Sequence, residues 1–235
     1  MPERGVSSDR GVSPGAWARV SRQRALVYGW FSALYAAEVP RATLASYMAG
    51  GAAPMLKGFS ILGLESEAER LHAALEALRG VDYAHLELAA DFAQMFLLDA
   101  KGGALPYASV YESEGARLYG PAEERMRAFL AGASLAIQDD FKEPADHLAL
   151  YLAVMARLIE DNARTADSAA AARDQAAFLE DAVLSWLPAF NARSQQASPR
   201  FDFYPALAAL LTAVVLQDAS FVREVAAPLL PEDAL

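Results

Sequence analysis

The segment that most constrains this chain runs from Asp139 to Glu160, DDFKEPADHLALYLAVMARLIE. Leu148, Tyr151, Leu152, Met155, Leu158 and Ile159 recur at helical spacing and make one continuous apolar stripe. A helix with such a stripe must bury it, so the neighbouring elements have to pack on it. The residues before the stripe read as the helix entry. Pro144 suits the first helical position, where a missing N–H costs nothing. Asp146 is then expected in the first turn, at the positive end of the helix dipole. His147 follows, one of only three histidines in the chain.

The remaining sequence repeats the helical period. Residues 16–38 form a first helix with an aromatic face through Trp30, Phe31 and Tyr35, ended by Pro40. Short helices broken by Gly50, Gly51, Pro54 and Gly58 follow over 41–62. Ser66 and Glu69 read as a capping box for a helix closed by Gly80. A helix over about 82–99 buries Leu88, Phe92, Met95 and Phe96, and leads into the loop 100–108. Pro121 opens another helix, with Glu123 and Glu124 in its first turn. Asp167 caps a helix through about Leu187, and residues 188–199 read as less regular. A helix over about 202–217 and a shorter piece over 221–226 close the chain. No segment alternates like a strand, so the expected fold is all-α, a bundle of about ten or more helices. Residues 1–15 read as a disordered tail. The irregular stretch 131–143 divides an N-terminal unit, 16–135, from a C-terminal unit, 136–235, and the two could equally share one compact domain.

Composition narrows the partners. The net charge is −10 and the pI about 4.8, which disfavours nucleic acid and anionic membrane surfaces and favours a basic peptide. Hydrophobic residues make up 54% of the chain, enough for a sizeable core. There is no cysteine, hence no disulfide and no thiolate metal site. The N-terminus lacks the apolar run of a secretory signal, and the charge-free stretches fall short of a membrane span. The expected place is the cytoplasm, with no stable membrane insertion. Neither a glycine-rich phosphate loop nor a nucleophile motif is present. The one metal-like pattern is Glu69-x-x-His72 followed by Asp82-x-x-His85, short of the paired Glu-x-x-His motifs and extra glutamates of a helical di-metal site.

A second stretch changes the weight of the first. Tyr107-Ala-Ser109-Val-Tyr111, a Leu-Tyr-Gly ending at Gly120, and Glu143-Pro144-Ala-Asp146-His147 occur in that order. Together with the approach helix DFAQMFLLD at 91–99, they resemble the TorD/DmsD/NarJ group of redox-enzyme maturation chaperones, over roughly residues 20–220. The resemblance implies a cytoplasmic chaperone, not an enzyme. Such a protein binds the twin-arginine signal peptide or N-terminal region of an apo molybdenum-cofactor oxidoreductase, and withholds it from export until the cofactor is inserted. The peptide-binding residues it implies are Phe96, Leu97, Pro106, Tyr107, Ser109, Tyr111, Glu112, Glu143, Pro144, Asp146 and His147. No metal, catalytic residue or resident cofactor is implied. Weak guanine nucleotide binding and a monomer or domain-swapped dimer, hinged at 131–143, are.

The physics of the residues is compatible. A twin-arginine signal has a basic end and an apolar helical middle, and an acidic helical protein with an aromatic groove accommodates both. Tyr107, Tyr111 and Tyr119 offer apolar bodies with polar tips. Glu112 and Glu114 either form a solvated face or meet arginines. Some members carry tryptophan after the loop proline, where this chain has Tyr107, so subgroup and client stay open. Competing readings are a helical metal-dependent oxidoreductase using Glu69, His72 and His85, and a helical scaffold without a groove.

Overall fold

The computed structural model describes residues 13–98, 102–112, 118–137 and 141–227. Tail residues 1–12 and Glu114 lie outside that set. Eleven α-helices occur among the described residues: α1 (Pro14–Ala36), α2 (Arg41–Ser46), α3 (Ala53–Ile61), α4 (Glu65–Leu78), α5 (Ala84–Phe96), α6 (Ala108–Glu112), α7 (Pro121–Gly132), α8 (Leu148–Asn162), α9 (Ser168–Ala177), α10 (Leu187–Gln196) and α11 (Phe203–Ala226). The all-α expectation is met, and the only strand-like pairing among these residues is one bridge between Tyr107 and His147.

The stripe on α8 is buried as expected, and α1 covers it. Leu148, Leu152, Met155 and Ile159 are fully enclosed. The Trp17 indole donates to the Asn162 carbonyl (3.0 Å) and the Ser32 hydroxyl to the Ala149 carbonyl (2.8 Å). The two helices therefore run antiparallel, and residues on both sides of the 131–143 connection share one core.

A buried charge cluster ties α1 to α9 and α11. Arg24 grips both carboxylate oxygens of Asp218 (2.5 and 2.9 Å) and the Gln175 side-chain carbonyl (2.8 Å). The Tyr28 hydroxyl donates to the same carboxylate (2.8 Å), and the guanidinium lies over the Trp17 and Phe221 rings. Asp218 explains a misplaced helix end. The polar run Gln217-Asp218-Ala-Ser reads as a break, yet α11 continues through it to Ala226, because Asp218 finds its cation on α1. At 24 residues α11 is long and apolar enough to cross a membrane, longer than the charge-free stretches imply. It is the central core helix here, with Phe203, Tyr204, Leu207, Leu210, Leu211 and Val215 buried.

Other boundaries moved for local reasons. Ser66 caps nothing. Gly63, at φ 85°, ends α3 in a reversal in which the Leu64 N–H donates to the Phe59 carbonyl, and α4 starts at Glu65. The stretch after Leu187 is helical as α10, with Pro188 in its first turn. A π segment, Phe178–Val183, separates it from α9. Asp167 caps α9 as expected, accepting from Ala170 N at 2.8 Å.

Candidate functional site

The entry to α8 is not built as its sequence suggests. The helix begins at Leu148, with His147 as its cap: the ring Nδ1 accepts from Ala149 N at 3.1 Å. Pro144 and Asp146 lie in the turn before the helix, so Asp146 is no dipole partner in a first turn. The Leu148 N–H donates to the Pro106 carbonyl (2.7 Å), and the Ala108 N–H to the Asp146 carbonyl (3.0 Å). Two orphan donors of α8 are thus satisfied, one by its own cap and one by a loop more than forty residues upstream.

This pairing brings the two motifs together. Asp146, fully buried, accepts from the Ser109 N–H at 2.9 Å through Oδ2. Its Oδ1 has no partner among the described residues. The Ser109 hydroxyl in turn accepts from Gly120 N (3.1 Å), which draws in the third motif. The Tyr107 hydroxyl donates to Glu143 Oε2 (2.6 Å), and its ring meets the His147 ring edge-on at 5.0 Å. Burial, and then the bond to Glu143, raise the Tyr107 hydroxyl above its ordinary pKa, so it stays a donor. Burial lowers His147 to about 4, so its imidazole is neutral near pH 7 and free to accept from the helix.

The loop that carries Pro106 is anchored by a glycine. A Cβ on Gly103 would stand 2.5 Å from the Met95 carbonyl oxygen and 2.7 Å from that of Gln94. The bare backbone permits the Ala104 N–H to donate to Met95 O (2.7 Å), and Arg193 Nε donates to the Gly103 carbonyl (2.9 Å). The loop is thereby folded back on the end of α5.

Beside this junction lies a cavity of about 370 Å³. Phe96, Leu97, Glu143 and His147 line it, as do Tyr35, Ala36, Ala37, Glu38 and Phe92. Of the residues expected from the sequence, four therefore form the wall. Pro106, Tyr107, Ser109, Pro144 and Asp146 build the junction behind it. Tyr111 and Glu112 lie elsewhere: Tyr111 stacks on Trp186 (5.8 Å) and Glu112 pairs with Arg125 on α7. Tyr119 is exposed and does not line the cavity. The contribution of α1 was missed. Tyr35 reads as core and Glu38 as an ordinary acid before Pro40, and neither carries a motif. Glu69 and His72 are exposed on α4, and no three His, Asp or Glu residues gather into a metal site among the described residues.

A second cavity of about 500 Å³ adjoins the first, sharing Ala36. It lies between α1, α8 and the connection after α7, and its walls are mostly apolar: Leu130, Leu135, Ile137, Phe141, Leu150 and Val154. Phe141 meets His147 edge-on at 5.7 Å, so one ring pair separates the two spaces.

Residues 62–192 match the family model of the nitrate reductase delta subunit, which spans this junction and both cavities in part. Known relatives extend the match. The Psychrobacter chaperone protein TorD is 40% identical over 89% of this chain and 96% of its own. Those of Photobacterium profundum and Vibrio vulnificus are each 36% identical over 86% of this chain and 95% of their own. The chain belongs to this family of chaperones. The family resemblance of the three motifs is borne out, and so is the reading as a redox-enzyme maturation chaperone rather than an enzyme. Most of the motif residues, Tyr107, Ser109, Glu143, Pro144, Asp146 and His147, sit at the junction and its cavity, while Tyr111 and Tyr119 do not.

Proposed function

We propose that this protein works in the cytoplasm and binds the twin-arginine signal peptide of an apo molybdenum-cofactor oxidoreductase, holding it until the cofactor is in place. The observation that carries the proposal is the pair of adjoining cavities, which share Ala36. One is walled by aromatic rings and two carboxylates, Glu38 and Glu143, with no lysine or arginine among its lining residues. The other is mainly apolar and begins where the first ends. A peptide that is basic at one end and apolar in the middle meets a matching surface in that order. The net charge of −10 adds a long-range attraction for the basic end.

The test is a calorimetric titration with a synthetic signal peptide carrying the arginine pair and its apolar stretch. Binding is expected, weakening several-fold between 50 and 300 mM salt as the exposed charge contacts are screened. Unchanged affinity across salt would make the contact apolar alone, and absence of binding would remove the proposal.

A further inference from the structure

We propose that the cavity between α1 and α5 is an arginine pocket, in which Glu38 and Glu143 receive one guanidinium of the bound segment and Phe92, Phe96 and His147 flank its plane. This rests on the peptide-binding reading above and assigns the residues that would distinguish arginine from lysine.

Glu38 follows the last turn of α1 and is exposed, and it has no hydrogen-bond or ion-pair partner among the described residues. Glu143 is half-buried, with one oxygen taking the Tyr107 hydroxyl and the other open. Several acids elsewhere in this protein are matched by a cation: Asp218 by Arg24, Asp202 by Arg70, Glu123 by Arg127 and Asp161 by Arg157. The two pocket carboxylates are not. The neighbouring spaces differ in kind, since the groove along α8 contains Arg157 and the cavity beside α2 contains Arg41, whereas this pocket is lined by no arginine or lysine.

The wall adds a second, independent observation. Tyr35 is fully buried, lines the pocket, and has a hydroxyl with no partner among the described residues. Tyr204 does not line the pocket, but it packs edge-on against Phe92 (5.6 Å) and Phe96 (5.1 Å), and its buried hydroxyl also has no partner among the described residues. Burial raises both hydroxyls far above their ordinary pKa, and the charges of Asp91 and then Glu38 push Tyr204 further. Two carboxylates without a cation, beside a tyrosine oxygen that accepts no hydrogen bond, make a wall rich in acceptors among the described residues. A guanidinium supplies five N–H donors in a rigid plane and also stacks on rings, whereas an ammonium is a compact point charge.

The experiment titrates four synthetic signal peptides, with Arg-Arg, Arg-Lys, Lys-Arg and Lys-Lys at the pair, against the wild-type protein, Glu38→Gln and Tyr35→Phe. One of the single-lysine peptides is expected to bind the wild type at least tenfold more weakly than Arg-Arg, while the other changes little. Glu38→Gln should weaken Arg-Arg binding about tenfold and erase most of that difference, with an unchanged melting temperature because Glu38 is exposed. Tyr35→Phe should narrow the difference while leaving the aromatic packing intact. Equal affinity for Arg-Arg and Lys-Lys, or full discrimination retained in Glu38→Gln, would overturn the assignment while peptide binding itself stands. Failure of every peptide to bind the wild type would instead remove the reading on which it rests, and the assignment with it.

Discussion

Asp146→Ala is the sharpest test of how the motifs are joined. As a residue of a first helical turn, Asp146 would contribute only ~0.3–1 kcal/mol through the dipole. In the structure it is instead the tie between two segments 37 residues apart, accepting from the Ser109 N–H inside the protein. A hydrogen bond to a charged group contributes ~1.5–3 kcal/mol, and a buried donor left open costs ~1–3 kcal/mol, partly the same energy counted from the other side. The expected loss is therefore about 3 kcal/mol, which in a chain of this size lowers Tm by roughly 6–12 °C. Asp146→Asn keeps an acceptor for Ser109 and should lose only about 1 kcal/mol. Chemical denaturation followed by circular dichroism, with thermal melts alongside, measures both. An Asp146→Ala protein that melts within about 2 °C of wild type would refute the junction as drawn. If the loss is as large as expected, any drop in peptide binding by this variant must be measured well below its melting temperature before it is read as a site effect.

Three further outcomes follow from the same geometry. Gly103→Ala should cost about 2 kcal/mol or more by chemical denaturation, since its Cβ collides with backbone carbonyls of α5 that no side-chain rotation can relieve; a neutral substitution would show the loop is not folded back there. His147 is held near pKa 4 in the fold against about 6.5 in the unfolded chain, so its contribution is complete above pH 6.5 and is lost as pH falls toward 4, amounting to on the order of 3 kcal/mol. The stability difference between wild type and His147→Gln should therefore shrink between pH 7 and 4.5, and a constant difference would contradict a buried neutral imidazole. Arg24→Met strands the Asp218 carboxylate and should cost ~3–5 kcal/mol, whereas Arg24→Met with Asp218→Leu should recover most of it; a double variant no better than the single would mean the pair is not coupled.

How far the sequence reveals this molecule depends on the range of the interactions. Local periodicity was sufficient for α8, α1 and α5, because burial of a stripe shows in the spacing of its own residues. It failed where a distant partner decides. Pro144 looks like the first residue of a helix, but the donor at Leu148 is satisfied by Pro106 and the helix starts at Leu148, four residues later. Ser66 has the right neighbours for a capping box, yet the reversal at Gly63 leads the chain into α4 before it can act. The break placed after Gln217 dissolves once Arg24 is known to face Asp218. The candidate site divides in the same way. Tyr107, Ser109, Asp146 and His147 were visible as motifs because the junction needs those residue types at those positions. Glu38 and Tyr35 were not, since one acid after a helix and one aromatic on a buried face are found in any helical protein. Their role depends on α1 lying alongside α5 and the 143–147 turn, a fact of tertiary structure.

Cross-link mapping of the complex tests the central claim most directly. A synthetic twin-arginine signal peptide carries a photoreactive residue immediately after the arginine pair, and in a second version near the end of its apolar stretch. The first version is expected to label Tyr35–Glu38, Phe92–Leu97 and the turn at Glu143–His147, which line the acidic aromatic cavity. The second is expected to label Leu130–Ile137 and Leu150–Arg157 along the apolar groove. Labels confined to Val214–Phe221 or to α2 and α3, which line neither cavity, would contradict the assignment of this surface as the peptide site.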